Sequence, residues 1–194
     1  MSVKTFGPGL LGESSVAIGI DQSLTGFALT AVDIHNPEQY STWVYKSPYR
    51  GVQRLDDIAA WLYTTLEDLD KWNVLNVAME GTVLQSQAAS ILGELAGVTK
   101  LVLFQHYDTS LNPDCALPLQ IPPMTLKKYA AGKGNAKKQE MLLQMYKRWG
   151  VEFNDDNAAD SYGLARMAAY ISIDAVETSI IDKIKDPKYR DSIL

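Results

Sequence analysis

The fold is decided by the stretch Val16-Ala17-Ile18-Gly19-Ile20-Asp21-Gln22-Ser23-Leu24-Thr25-Gly26-Phe27-Ala28-Leu29-Thr30. Its pattern predicts an apolar strand that ends in an acid, a glycine-bearing turn, and a second strand that runs back. A carboxylate at the tip of a buried strand is held in place by packing and can still reach solvent or a metal ion. Asp21 is therefore a candidate for chemistry. The alternative is that it only opens the turn, since Asp, Ser and Gly are ordinary turn formers.

Length and composition predict one globular domain. The chain has 194 residues, of which 46% are hydrophobic and 21% charged, and both values are close to globular averages. No apolar run approaches the roughly 18 residues of a membrane span, and the first residues lack the apolar segment of a signal peptide. We therefore expect a cytoplasmic protein with no membrane partner.

The supply of soft metal ligands is small. The chain contains one cysteine, Cys115, and two histidines, His35 and His106. This excludes a disulfide within the chain and a thiolate-rich metal cage, and it disfavours a multi-histidine zinc site. Any metal must be held mainly by oxygen, which favours Mg²⁺ or Mn²⁺.

The hydrophobic pattern predicts an α/β fold in which three antiparallel strands come first. After the two strands of the opening stretch, further strands are predicted at 40–46, 73–79 and 115–121. Helices are predicted at about 52–70, 86–107, 138–149 and 153–173. Residues 1–14 are expected to form a loose leader and 176–194 a peripheral tail, around a core of about 15–175.

Several acids lie at positions where the predicted strands and the last long helix could bring them close together. Asp21 and Glu80 each end a strand, and ligands gather at the carboxyl ends of parallel strands. Asp156 and Asp160 lie four residues apart on one face of the last long helix, with Asn157 able to join them. Capping of the helix explains Asp156 but not Asp160, which lies one turn further into an apolar segment.

Such a cluster of carboxylates requires cations. Two unit charges about 4 Å apart repel by roughly 4 kcal/mol at an effective dielectric constant of about 20. Two magnesium ions about 3.5–4 Å apart, bridged by carboxylates, clamp the attacking water and the leaving oxygen of a phosphodiester. The acids therefore predict a nuclease that uses two Mg²⁺ or Mn²⁺ ions.

A basic stretch follows in the middle of the chain. The net charge of −5 argues against a nucleic-acid partner, but residues 125–139 contain no acid. Their candidate DNA-binding residues are Lys127, Lys128, Gly132, Lys133, Gly134, Lys137 and Lys138. Backbone exposed at glycines among lysines can approach phosphates closely. The alternative is a solvated helix face with a flexible joint.

Four motifs, in order, resemble the RuvC family of Holliday junction resolvases. They are Ile18-Gly19-Ile20-Asp21 with Thr25-Gly26, then Met79-Glu80-Gly81, then Lys127 with 132–139, then Ala159-Asp160 with Leu164-Ala165. The resemblance implies a ribonuclease H-like fold with a mixed five-stranded sheet flanked by helices. It also implies a homodimer that nicks four-way DNA junctions in pairs with magnesium. The leader and the spacing suggest a phage or mobile-element member, which would act in the host cytoplasm.

The resemblance also implies roles for single residues. Asp21 and Glu80 look like the first two metal ligands of the family, and Asp160 looks like the last. Lys127 and Lys138 look like the lysines near the scissile phosphate.

The chain departs from the family at two places. The third ligand, Asp or His, stands three residues before the last Asp, where this chain has Asn157. Asp156 could substitute from one position earlier, with Asn157 as a neutral ligand or a neighbour. The aromatic residue that some relatives carry shortly after the glutamate is absent, and Val83 and Leu84 stand there.

Other functions stay open at this point. One is a different ribonuclease H-like nuclease, acting on branched DNA or RNA:DNA hybrids. Another is a protein that binds junctions without cutting them, which the neutral Asn157 favours. A sugar kinase or related transferase shares only the Asp21 turn, and the chain is short for the duplicated domains of such folds.

Overall fold

A mixed β-sheet forms the centre of the computed structural model, which describes residues 2–10, 15–81 and 89–191. In chain order its strands are β1 (Ser2–Phe6), β2 (Ser15–Asp21), β3 (Phe27–Asp33), β4 (Tyr40–Lys46), β5 (Asn73–Glu80) and β6 (Leu119–Ile121). Their order across the sheet is β1-β4-β3-β2-β5-β6. The strands from β1 to β2 pair antiparallel, whereas β2, β5 and β6 run parallel. This arrangement confirms the predicted mixed α/β sheet with antiparallel strands first.

The sheet has six strands among the described residues, one more than predicted. The additional strand, β1, lies within the segment expected to be a loose leader. Its residues pair with β4 from Ser2 opposite Lys46 to Phe6 opposite Thr42. Most of β1 is exposed, because it is an edge strand held mainly by backbone hydrogen bonds. Backbone hydrogen bonds do not require a hydrophobic pattern, so the sequence did not predict this strand. Residues 1 and 11–14 of the expected leader lie outside the described residues.

Helices cover both faces of the sheet. They are α1 (Gly51–Leu69), α2 (Ala89–His106), α3 (Pro113–Ala116), α4 (Pro123–Ala131), α5 (Lys138–Trp149), α6 (Asp156–Ala168), α7 (Ala175–Lys185) and α8 (Pro187–Asp191). The predicted start of the second helix, at residues 86–88, lies outside the described part. No helix in the described ranges combines the length and apolar character needed to cross a bilayer.

Two predicted elements are shorter than expected. The strand predicted at 115–121 is reduced to β6, because Pro113 occupies the first turn of α3 and residues up to Ala116 are helical. The last long helix ends at Ala168 rather than near 173. Tyr170 there has a positive φ of 55°, which a helix does not allow.

Alternate residues of β2 face different layers, as expected for a strand buried on both sides. Ile18 and Ile20 pack in the core with α1 and α2. Ala17 belongs to the core that is formed with α4, α5, α6 and α7. Asp21 has the same parity as Ala17, so the strand directs its carboxylate toward the layer that contains α6.

The expected peripheral tail contains a packed helix. Ile180, Ile181 and Ile184 of α7 are buried in the same core as α6. Glu177 is fully buried and accepts hydrogen bonds from the Arg148 guanidinium and from Nε1 of Trp149, at 2.5 and 3.0 Å. The prediction was wrong for α7 because the charge of Glu177 is compensated inside the fold by residues that lie far away in sequence.

Candidate active site

Two acids lie side by side at the carboxyl ends of neighbouring parallel strands. Asp21 is the last residue of β2, and Glu80 is the last residue of β5. The pairing of β2 with β5 continues up to Ile20 opposite Met79, the residues immediately before the two acids. Side chains alternate along a strand, so both carboxylates point to the face of the sheet that α6 covers.

A glycine lets α6 approach that face closely. A Cβ atom at Gly19 would collide with the backbone of Ser161 and Ala165. The hydroxyl groups of Ser161 and Thr30 are also hydrogen-bonded across the interface at 2.8 Å. The first turns of α6 are thereby fixed against β2 and β3, and Asp160, which precedes Ser161, is placed near the acids at the strand ends.

The three acids interact electrostatically. Burial, followed by the charges of Glu80 and Asp160, raises the pKa of Asp21 well above its usual value. Burial and the charge of Glu80 raise the pKa of Asp160 to about 7. Burial also raises the pKa of Glu80, although the hydrogen bond with Asp21 and the charges of Lys127 and Lys138 oppose the shift. The structure thus brings together three of the acids named from the sequence, Asp21, Glu80 and Asp160.

The donor chemistry of this group suits a hard divalent cation. All three side chains offer carboxylate oxygens, and their mutual repulsion is what a cation would relieve. As they stand, no three His, Cys, Asp or Glu side chains are gathered into a metal-binding group within the described ranges. The hydrogen bond between Asp21 and Glu80 occupies oxygens that an ion would use. Metal binding would therefore have to displace this hydrogen bond.

Lysines approach the group from α4 and α5. Nζ of Lys138 lies 3.0 Å from Oδ2 of Asp156, and this hydrogen bond raises the pKa of Lys138. Both residues line a narrow cleft together with Asp160. The charge of Lys127 lowers the pKa values of Glu80 and Asp160. Two of the predicted basic residues therefore lie next to the acids.

Asn157 and Asp155 occupy the start of α6. A Cβ atom added to Gly26 would lie 2.5 Å from Nδ2 of Asn157, so the amide packs against the turn that follows Asp21. The capping residue is Asp155, whose side chain accepts hydrogen bonds from the backbone N–H groups of Asn157 and Ala158. Asp156 is free of the capping role that the sequence allowed it.

The remaining predicted DNA-binding residues lie at the end of α4 and between α4 and α5. Gly132 ends α4 in a left-handed conformation with φ 79°, which favours glycine. Lys133 forms an ion pair with Glu140 at 2.7 Å, and the side chains of Lys128 and Lys137 are exposed. Gly134 lies against the backbone oxygen of Met124. Their contact with DNA stays a prediction.

The sequence did not predict the contacts of two residues, Gln22 and Arg148, which position elements of the site. Nε2 of Gln22 donates a 2.7 Å hydrogen bond to the backbone oxygen of Glu80 and ties the ends of β2 and β5 together. Arg148 donates to the backbone oxygens of Tyr129 and Ala130 and fixes the end of α4. The position of Gln22 directly after Asp21 suggested a role near the acids. Its hydrogen-bond partner could not be predicted, because it lies 58 residues away in the sequence.

Comparisons with known proteins identify the fold. No family model matches the sequence, and no curated protein matches it. The structure resembles Thermus thermophilus RuvC, with a TM-score of 0.60, 20% identity, and coverage of 87% of this chain and 96% of that one. It also resembles T. thermophilus RuvC in complex with a Holliday junction substrate, with a TM-score of 0.59, 21% identity, and coverage of 77% and 90%.

A third neighbour is the yeast mitochondrial Holliday junction resolvase Ydc2. Its TM-score is 0.51 at 13% identity, with coverage of 96% of this chain and 87% of that one. At these identities the similarity establishes a shared fold. The predicted RuvC-like, ribonuclease H-like architecture is thus confirmed, whereas a phage or mobile-element origin is not tested.

Proposed function

We propose that this protein is a metal-dependent, structure-selective endodeoxyribonuclease that resolves four-way DNA junctions by paired phosphodiester hydrolysis. The observation that carries the proposal is the convergence of Asp21, Glu80 and Asp160 beside Lys138 on a RuvC-like fold. One of the similar structures is a RuvC protein in complex with a Holliday junction substrate.

The three acids would hold the metal. In this proposal Asp21, Glu80 and Asp160 bind two Mg²⁺ or Mn²⁺ ions. Ions held in this way supply an activated water and stabilise charge on the phosphate that is attacked. Asp21 is buried at the end of β2, which limits the movement of its carboxylate and keeps this ligand ready for the ions.

The lysines would bind the substrate phosphate. Lys138 and Lys127 lie close enough to influence the pKa of Glu80 and Asp160. They can therefore offset negative charge at the scissile phosphate or at the leaving oxygen. Further along the DNA backbone, the exposed lysines of the α4–α5 connection would contact phosphates without reading sequence. Paired nicking requires two such sites, so we propose that the protein acts as a homodimer.

Cleavage of a synthetic four-way junction tests this function. Wild-type protein should cut the junction with Mg²⁺, and Asp21→Asn should reduce the rate by at least about 100-fold. Asp68→Asn is the matched control, because Asp68 is exposed on α1 and lies on the other face of the sheet. Equal cutting by wild type and Asp21→Asn would contradict the site assignment.

A second candidate function is junction binding without cleavage. The neutral Asn157, at the position where the family has Asp or His, is the observation that favours it. Tight binding of the junction in Ca²⁺, with no product in Mg²⁺ or Mn²⁺, would support this function over the nuclease. Parallel assays on a fork, a flap and an RNA:DNA hybrid would separate a resolvase from another ribonuclease H-like nuclease.

A further inference from the structure

We infer that Asp156 is a positioning residue that holds Lys138 at the active site, and that the carboxylate metal ligands are Asp21, Glu80 and Asp160 alone. This inference rests on the proposed function. It gives the two acids of α6 different roles, with Asp156 positioning Lys138 and Asp160 binding metal. The sequence left both Asp156 and Asp160 as candidate metal ligands, because both lie on one face of the same helix.

The position of Asp156 is the first reason. Its Oδ2 lies 3.0 Å from Nζ of Lys138. Lys138 is the first residue of α5 and Asp156 the first residue of α6, so the ion pair bridges the starts of two helices. A carboxylate in contact with an ammonium group shares its charge with that group and has less to offer a metal ion.

The surroundings of the acids are the second reason. The side chain of Asp156 is 42% exposed, whereas Asp21 is 4% exposed. The carboxylates whose charges raise the pKa of Asp21 are those of Glu80 and Asp160. Asp156 contacts Lys138 through its carboxylate and lines the same narrow cleft as Asp160. Asp156 therefore lies at the exposed rim of the site, whereas Asp21 lies in its interior.

The ion pair gives Lys138 a defined place. The lysine side chain has four rotatable bonds and is 64% exposed, so without a partner it would sample many conformations. Asp156 holds its ammonium group beside Asp160, from where it can exchange a carboxylate oxygen for a phosphate oxygen. An exposed ion pair of this kind contributes little to stability, so its effect should appear in catalysis and not in folding.

A double-mutant cycle combined with metal binding tests the inference. The variants are Asp156→Asn, Lys138→Met, the double variant, and Asp160→Asn as the matched acid on the same helix. Mn²⁺ affinity is measured by electron paramagnetic resonance on the protein without DNA, and junction cleavage is measured under single-turnover conditions with Mg²⁺. Asp156→Glu, which keeps the charge, serves as the conservative variant.

The expected results separate the two acids. Asp156→Asn should leave Mn²⁺ affinity within about threefold of wild type, whereas Asp160→Asn should lower it by at least about tenfold. Asp156→Asn should slow cleavage about 5- to 20-fold, and Asp156→Glu should restore part of the rate. The double variant should be no slower than Lys138→Met, because the acid acts only through the lysine.

Three results would overturn the inference. The first is a loss of Mn²⁺ affinity in Asp156→Asn as large as in Asp160→Asn. The second is additivity, in which the double variant is slower than Lys138→Met by the full effect of Asp156→Asn. The third is unchanged cleavage by Asp156→Asn. Failure of the proposed function is recognised separately, because wild type would then leave junctions intact or Asp21→Asn would cut them equally well, and the inference would fall with it.

Discussion

The backbone of Gly19 in β2 touches the backbone of Ser161 in α6, with no side chain between them. This contact sets the distance between the strand that ends in Asp21 and the helix that carries Asp160. A side chain at position 19 would push the helix away from the sheet and separate the two acids.

Gly19→Ala should therefore destabilise the protein and impair the site. Its methyl group would meet backbone atoms, which cannot rotate away, so we expect a loss of about 1–3 kcal/mol or more in the free energy of unfolding. Gly97→Ala in α2 is the control, since a Cβ there meets nothing within 4 Å and should stabilise the helix by about 0.5–1 kcal/mol. Urea unfolding measures both. Wild-type stability in Gly19→Ala would contradict the described contact.

The raised pKa of Asp160 predicts how stability depends on pH without metal. Its pKa is about 7 in the folded protein and 3.8 ordinarily. A group whose pKa is raised by folding stabilises the protein most at low pH, and this contribution is lost as pH rises from about 4 through 7. Asp160→Asn should therefore be more stable than wild type at pH 8, by about 1–3 kcal/mol, and similar to it near pH 4. Thermal unfolding with a chelator at a series of pH values checks this, and equal stability at pH 8 would contradict it.

Divalent metal should stabilise the folded protein. An ion that binds only the folded state at about 100 times its dissociation constant adds about 2.7 kcal/mol. Because protons compete for the carboxylates of Asp21 and Asp160, the rise in melting temperature with Mg²⁺ or Mn²⁺ should be larger at pH 8 than at pH 6. Asp21→Asn should lose most of the rise. A similar rise with sodium chloride at equal ionic strength would show that no specific site is responsible.

The basic stretch should determine the salt dependence of DNA binding. Each lost phosphate contact lowers the slope of log affinity against log salt by about 0.9 for duplex DNA. Lys128→Gln and Lys137→Gln should each reduce the slope in this way in binding assays with Ca²⁺. Lys71→Gln should not, because Lys71 precedes β5 at the end of the sheet opposite to Glu80. Unchanged slopes in both test variants would locate the DNA elsewhere.

Glu177 should be essential for folding. It is fully buried and accepts hydrogen bonds from Arg148, Trp149 and the backbone N–H of Ile173. Glu177→Ala leaves the Arg148 guanidinium without its buried partner, so we expect a loss of about 3–5 kcal/mol. Glu152→Ala, at an exposed glutamate, should change stability by less than about 0.5 kcal/mol. Equal urea midpoints for the two variants would contradict the role of Glu177.

Part of the candidate site could be predicted because strands and helices carry periodic patterns. The acids Asp21 and Glu80 were found because each follows an apolar run that forms a strand, and Asp160 because it is an acid inside an apolar helix. The different tasks inferred for Asp156 and Asp160 could not be predicted, since they depend on which side chain Lys138 meets. The assignment of these residues to metal and to catalysis stays a prediction, as do the single domain over 1–194 and the cytoplasmic location.

The sequence by itself determined the α/β architecture, the strand ends that carry acids and the basic stretch near Gly132, because these depend on local periodicity and composition. Only the tertiary structure decided that β1 pairs with β4 as an edge strand, that α7 belongs to the core, and that Gln22 is hydrogen-bonded to the backbone of Glu80. These features depend on hydrogen bonds, burial and charges between residues far apart in the chain. Such interactions are set by distances in space, which no local pattern records.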